Sequence, residues 1–242
     1  MTTPTGLPRP PQSYESMLRA DALDGLGAVV LGEGPLASAV HEALAAVGAS
    51  VRTELPGDGA AAAARIAELA PHILVTVPST TAPARADDLD AESVARVVER
   101  DLTVPYNAIL AVARAAGDRG AAIVSIVSSA AVTGAPGFAG PAAAQSSLCS
   151  AARSLAAEWA PRDIRVNTVS VGPFEGVRPD AAAGHVPAMR LGEPRELGWL
   201  VAYLVSPYAA YLTGAHIGID GGDTLRRRLV GEPYQPGEFL AD

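Results

Sequence analysis

Short apolar runs alternate with Ala-rich amphipathic stretches along most of the chain. Runs of β-branched and other apolar residues predict strands over six segments: 27–31, 50–54, 72–77, 121–127, 164–170 and 215–219. Between them, apolar residues at helical spacing predict helices near 35–47, 58–70, 91–117, 140–160 and 194–205. Strands that alternate with helices are typical of a parallel sheet covered on both faces. The pattern predicts a single doubly wound α/β domain of Rossmann type.

The predicted domain covers residues 25–223 and is flanked by two segments without strong periodicity. Residues 1–24 begin with a Pro-rich stretch and are predicted to form an N-terminal extension, and residues 224–242 a C-terminal tail. Only residues 55–71 separate the second predicted strand from the third, which is enough chain for one crossover helix. We therefore expect about six strands, with the sheet shortened after the second strand.

Charge and composition exclude several classes of function. The net charge of -8 argues against a general phosphate-binding surface, so we expect no nucleic-acid partner. All 18 basic residues are arginine, which stays protonated and cannot replace lysine as a Schiff-base former or a tunable base. The single Cys149 excludes an internal disulfide, and the histidines lack metal-ligand spacing, so no metal site is predicted. There is no secretory signal and no run of about 18 apolar residues, so we expect a cytoplasmic protein without a membrane span.

The second half of the chain carries several motifs in a characteristic order. They resemble motifs of the short-chain dehydrogenase/reductase family, and of its ketoacyl reductase-like members in particular: Ala121–Ser129 (AAIVSIVSS), Ile164–Val169 (IRVNTV), Arg190–Glu196 (RLGEPRE), Leu212–Gly214 (LTG) and Asp220–Gly222 (DGG). The resemblance implies a Rossmann-type sheet and a family chemistry of NAD(P)-dependent oxidation and reduction.

The resemblance also implies where the family's catalytic groups should stand. The family uses a tyrosine hydroxyl as general acid or base, a lysine one helical turn later, and a serine at the end of a strand. Counted from Ser128, the tyrosine position is Pro141 and the lysine position is Gln145. The asparagine of the family's proton relay aligns with Asp101. Proline has no titratable group and glutamine carries no charge, so we expect no catalytic residue in the family's form.

The first turn of the predicted domain carries a weak dinucleotide fingerprint. Gly32-x-Gly34-x-x-Ala37 fits the general pattern, and Glu54 ends the next strand, where an acidic residue would bond a ribose. Against binding, Glu33 brings a carboxylate near the expected pyrophosphate. The short second crossover also removes a strand that helps to wall the adenine pocket in the family. The sequence therefore predicts no cofactor, with NAD or NADP as the alternative.

Three functions remain open. The first, which we prefer, is a non-catalytic structural or regulatory subunit, similar to the inactive partners in heteromeric short-chain dehydrogenases. It would pair with an intact paralogue or with itself, as a dimer or tetramer, through the helices near 91–117 and 140–160, which keep apolar faces. The second is a divergent NAD(P)-dependent oxidoreductase that uses another acid. The third is a non-redox enzyme, such as a lyase, isomerase or cyclase, that reuses the cleft with Asp101, Ser128 or His185.

Overall fold

A computed structural model of the chain describes residues 19–55, 57–79, 82–117, 119–178 and 186–225. Its strands are β1 (Gly27–Leu31), β2 (Ser50–Glu54), β3 (Ile73–Thr76), β4 (Ala121–Ser128), β5 (Ile164–Val171) and β6 (His216–Ile219). Its α-helices are α1 (Pro35–Ala46), α2 (Gly59–Leu69), α3 (Ala91–Val98), α4 (Val104–Ala116), α5 (Ala130–Thr133), α6 (Ala139–Trp159) and α7 (Pro194–Val205). Most of the predicted extension and tail, together with His185, lies outside the described residues.

All six strands run parallel and form one sheet in the order β2-β1-β3-β4-β5-β6. The predicted doubly wound sheet is therefore confirmed. Among the described residues, α2 is the only α-helix between β2 and β3, and its N-cap is Asp58, whose carboxylate accepts a hydrogen bond from the Ala61 amide. Because that crossover contains no further strand, β2 lies at the edge of the sheet, as the short segment predicted.

The sheet buries a hydrophobic core on each face, because successive side chains of a strand point to opposite sides. In β1, Val30 belongs to the core beneath α1 and α7, and Val29 to the core beneath α2, α4 and α6. The strands β3, β4 and β5 are buried almost throughout, which explains their continuous apolar runs. Parallel strands end at one edge of the sheet, which is where ligands bind in such folds.

The long helix predicted over 91–117 is interrupted in the structure. It consists of α3, a π-helical turn at Glu99–Thr103, and α4. Pro105 lies in the first turn of α4 and has no N–H to donate to the carbonyl of Asp101, so regular α-helical bonding fails there. The π-helical turn carries Arg100 and Asp101 to the carboxyl edge of the sheet. None of the helices in the described part of the chain combines the length and apolar character needed to cross a membrane.

Candidate functional site

Three of the residues predicted from the family's catalytic positions meet at the carboxyl edge of the sheet. Ser128 ends β4, Asp101 lies in the π-helical turn, and Gln145 lies on the buried side of α6. The fourth, Pro141, lies near the start of α6 and is half-buried. The positions counted from the sequence therefore lie close together in the structure, although their side chains differ from those that the family uses.

The Gln145 side chain connects the other two groups. Its Oε1 accepts a hydrogen bond of 2.7 Å from the backbone N–H of Ser128. Its Nε2 donates to Oδ2 of Asp101 at 3.2 Å. The Ser128 hydroxyl accepts from the backbone N–H of Ala130 at 3.2 Å. Glutamine at this position therefore joins the end of β4 to the π-helical turn.

The carboxylate of Asp101 is fully buried and is paired with its neighbour Arg100. Arg100 Nε donates to Oδ1 at 2.6 Å and Nη2 donates to Oδ2 at 3.0 Å, while the Asp101 side chain has 0% exposure. The carboxylate raises the pKa of Arg100 above its ordinary value. We call the connected groups of Arg100, Asp101, Gln145 and the Ser128 amide the relay-site network. Arg100 could not be predicted from the sequence, because its role depends on the direction in which the π-helical turn points its side chain.

A cavity of about 470 Å³ lies beside this network. It extends along the ends of β1, β2 and β3, where Gly32, Leu55 and Thr76 line it, and it reaches Asp101 and Gln145 at its inner end. Its volume lies within the range of about 300–1,000 Å³ that is usual for small-molecule sites. The carboxyl edge therefore retains a site of suitable size despite the missing edge strand.

The turn from β1 into α1 keeps features of a dinucleotide-binding turn. Gly32 has a φ of +142°, and a Cβ there would lie 2.6 Å from the carbonyl oxygen of Val77, so a side chain is excluded. Gly34 is the N-cap of α1 with a φ of +88°, and no side chain caps the helix. Ala37 is buried in the first turn. The predicted glycines thus have the backbone shape that the fingerprint requires, and their role in binding stays a prediction.

Glu54, the predicted ribose-binding residue, is engaged elsewhere. Its Oε1 accepts a hydrogen bond of 2.9 Å from Nη2 of Arg65, on α2. This arginine holds the pKa of Glu54 below its ordinary value. Glu54 is not among the residues that line the cavity, whereas the next residue, Leu55, is.

The ends of β4, β5 and β6 are tied to one another and to nearby loops. The Ser129 hydroxyl donates to Oδ2 of Asp223 at 3.0 Å, which joins the end of β4 to the segment after β6. After β5, the Arg178 guanidinium stacks 4.9 Å from the centre of the Phe138 ring. A Cβ on Gly176 would lie 3.1 Å from Pro35, so the loop after β5 contacts the start of α1. These contacts could not be predicted from sequence, because each joins segments that are distant in the chain.

The parallel sheet and the glycine turn define a protein of the dinucleotide-binding class. A family model described as Enoyl-(Acyl carrier protein) reductase matches residues 35–224. The chain belongs to the short-chain dehydrogenase/reductase family, and the resemblance inferred from its motifs is confirmed at that level.

Two of the relatives similar in sequence are reductases by name. The chain is 32% identical over 168 residues to a tropinone reductase homolog of Datura stramonium, covering 64% of this chain and 63% of that protein. It is 36% identical over 135 residues to the 3-oxoacyl-(acyl-carrier-protein) reductase of Vibrio cholerae, covering 52% of this chain and 55% of that protein. The chain thus spans less than two thirds of the length of either relative.

Solved structures match over more of the chain. A dehydrogenase/reductase from Sinorhizobium meliloti has a TM-score of 0.77 at 25% identity, covering 86% of this chain and 99% of that one. A short chain dehydrogenase/reductase family protein has a TM-score of 0.78 at 28% identity, with coverage of 85% and 100%. The fold is therefore shared over nearly the whole of those domains.

The prediction that the chain has no cofactor is wrong. The family to which it belongs is NAD(P)-dependent, and reductases such as the named relatives need a hydride donor of this kind. The loss of the edge strand after β2 was expected to remove the adenine pocket. In the structure, Leu55 and residues of the π-helical turn line a cavity at that place. The glycine turn and the residues at the ends of β1 to β3 fit the adenosine side of a dinucleotide.

Replacement of Gln145 tests the relay-site network. In Gln145→Leu, the Ser128 amide and the buried Asp101 carboxylate each lose a hydrogen-bond partner, so the free energy of unfolding should fall by about 1–3 kcal/mol. Ser147→Ala, on the exposed side of the same helix, is the control and should change it by no more than about 0.5 kcal/mol. Chemical denaturation measures both. Equal effects of the two substitutions would show that the network contributes nothing to stability.

Proposed function

We propose that the chain is a short-chain dehydrogenase/reductase homologue that does not transfer hydride by the family mechanism. It acts instead as a structural or regulatory subunit that pairs with an intact paralogue or with itself. The observation that carries this proposal is the set of contacts made by Gln145. This residue occupies the family's lysine position, and its side chain is hydrogen-bonded to Asp101 and to the Ser128 amide. A dinucleotide supplies the hydride in this family, and the protein must supply or accept the proton.

The chain supplies neither a lysine nor a tyrosine at the positions of the missing proton-transfer groups. It contains no lysine, and no tyrosine occurs between Tyr106 and Tyr203. Pro141 has no titratable group. A general acid needs a proton that can reach the substrate and a pKa near the working pH. Because Pro141 and Gln145 do not meet these requirements, we expect the site to bind ligands without performing the family's acid–base step.

The two alternative functions need a free acid, base or nucleophile in the cleft. Asp101 is bonded to Arg100 and Gln145, and the Ser128 hydroxyl accepts from a backbone amide. His185 lies outside the described residues. A divergent oxidoreductase or a non-redox enzyme would therefore have to open the relay-site network first, and no contact among the described residues favours such an opening.

The proposed assembly surface is the exposed side of α3 and α6, although its composition differs from the sequence expectation. Most of the apolar residues of α4 and α6 are buried in the chain's own core, including Ile109, Leu148 and Trp159. On α3, Val94 and Val98 are exposed. The exposed side of α6 carries mostly small residues, with two charged residues near its end: Ala143, Ser146, Ser147, Ser150, Ser154 and Ala157, together with Arg153 and Glu158. Small side chains allow a partner helix to approach closely, and two exposed valines beside them supply apolar contact.

An activity assay tests the catalytic part of the proposal. The purified chain, given NADPH or NADH with tropinone or a 3-oxoacyl thioester, should show no substrate-dependent loss of the reduced nicotinamide absorbance. The Vibrio cholerae reductase, assayed in parallel with the thioester, is the positive control. Oxidation that depends on substrate and scales with the concentration of this chain would contradict the proposal and favour the divergent oxidoreductase.

A charge placed on α6 tests the assembly. The unaltered chain should sediment as a dimer or tetramer, alone or with a partner from its native host. Ser150→Arg should shift it to the monomer, because an arginine cannot be desolvated without a partner at a close helix contact. Ser38→Arg, an equally exposed serine on α1 at the opposite face of the sheet, is the control and should leave the assembly unchanged. A stable monomer in the unaltered protein, with no partner recovered, would contradict the proposal.

A further inference from the structure

Two tyrosines are exposed at the amino edge of the sheet. Tyr211 is fully exposed, and Tyr208 is exposed over more than half of its surface. Both lie in the connection between α7 and β6, so they precede a strand, whereas the cavity lies at the opposite edge, where strands end. Large aromatic side chains that lie together on a surface mark a place where another chain segment can bind.

The two rings lie on the same side of a tight turn. Pro207–Ala209 form a 3₁₀-helix, and its i to i+3 hydrogen bonding continues to Leu212, whose N–H donates to the carbonyl of Ala209 at 2.9 Å. Side chains three residues apart eclipse each other in such a turn, which places Tyr208 beside Tyr211. We call these two residues the tyrosine pair.

The turn that carries the tyrosine pair is held by hydrogen bonds from β5. The Arg165 guanidinium donates to the carbonyl of Leu204 at 2.7 Å and to that of Leu212 at 3.3 Å, which ties the end of α7 to the end of the turn. The Ser206 hydroxyl accepts from the N–H of Tyr208 at 3.3 Å. A surface that is already ordered loses little conformational entropy when it binds a partner.

The N-terminal extension enters the described structure beside the tyrosine pair. Leu23 packs in the hydrophobic core that also contains the end of α7. Asp21 raises the pKa of Arg19, the first described residue, above its ordinary value, and the nearby Tyr208 contributes in the same direction. Pro11 precedes Arg19 by eight residues. An extended chain spans about 3.5 Å per residue, so Pro11 can lie anywhere within about 28 Å of Arg19.

We infer that the tyrosine pair binds residues 7–11 (LPRPP) of the same chain, in a polyproline II conformation. Proline-rich segments dock on exposed aromatic rings in this conformation, and they lose little conformational entropy because proline has a fixed φ. Pro8 and Pro11 are three residues apart, and a polyproline II helix has three residues per turn, so both rings face one side. That side would lie against the tyrosine rings.

Charge at the amino edge favours the same segment. Arg9 is the only basic residue in 1–18, and Asp24 presents an exposed carboxylate close to where the described structure begins. Asp21 is already paired with Arg19, at 2.7 Å. An ion pair between Arg9 and Asp24 would be exposed to solvent, so it would orient the segment more than it would strengthen binding.

A spin label on the extension of the full chain tests this inference. Cys149 is the single cysteine and is buried, so Cys149→Ala combined with Gln12→Cys leaves one thiol for a nitroxide, next to the docked segment. The nitroxide should broaden the backbone amide NMR signals of residues 208–212. The amide of Met189, at the carboxyl edge, is the internal control and should keep its intensity, since the eight residues of β5 separate the two edges by about 26 Å.

Substitutions in the segment distinguish docking from simple tethering. In the spin-labelled chain, Pro8→Ala combined with Pro11→Ala should abolish the broadening at residues 208–212, because the proline face that contacts the rings is lost. Pro4→Ala, outside the segment, is the matched control and should leave the broadening unchanged.

Substitutions in the tyrosine pair test the other side of the contact. Tyr208→Ala combined with Tyr211→Ala should abolish the broadening of the neighbouring amides in the same way. Met189→Ala removes an exposed apolar side chain at the opposite edge and should have no effect. Thermal denaturation checks that every variant folds.

Three results would overturn the inference. The first is full intensity of the amides of residues 208–212 in the spin-labelled chain. The second is broadening that survives either double substitution. The third is broadening that also appears when spin-labelled chain is mixed with isotope-labelled chain that carries no nitroxide, because the segment would then come from a second copy.

Discussion

The burial of the Asp101 carboxylate is the constraint on which the carboxyl edge of the sheet depends. A carboxylate removed from water costs several kcal/mol unless it is paired and hydrogen-bonded. Arg100 supplies the charge, and Gln145 supplies a further donor. Since Gln145 also accepts from the Ser128 amide, the same pairing fixes the end of β4. The π-helical turn is part of this arrangement, because Asp101 and Arg100 belong to it.

The network also explains how the cleft divides into two unequal parts. Side chains at the family's relay and lysine positions are here bonded to one another, as the proposed structural role of that end of the cleft requires. A cavity borders this network and extends along the ends of β1, β2 and β3. The chain has the fold and the glycine turn of the family, and the proposed change lies at the side where the family transfers hydride. A binding or assembly role is consistent with both parts.

The strands of the sheet could be predicted from the sequence, whereas the contacts at the site could not. The β-branched runs and the short crossover after β2 led directly to the number of strands and to the edge position of β2, since these depend on local pattern and chain length. The break at Pro105 was missed because apolar spacing continues through it. Arg100 was missed because its pairing depends on the π-helical turn. The apolar residues of α4 and α6 were assigned to a partner, whereas residues such as Ile109 and Trp159 pack in the chain's own core.

Hydrogen exchange of the Ser128 backbone amide, followed by NMR, measures the central contact directly. The Gln145 side chain accepts this hydrogen, so the amide should exchange at least about 100-fold more slowly than in an unfolded peptide. Addition of NAD⁺ should not accelerate that exchange, because the cavity lies beside the network and a ligand there would leave the network closed. Exchange at the rate of an open amide, or a large acceleration on ligand binding, would mean that Gln145 is free to act in the cleft. That result would contradict a structural role for the residue at the lysine position.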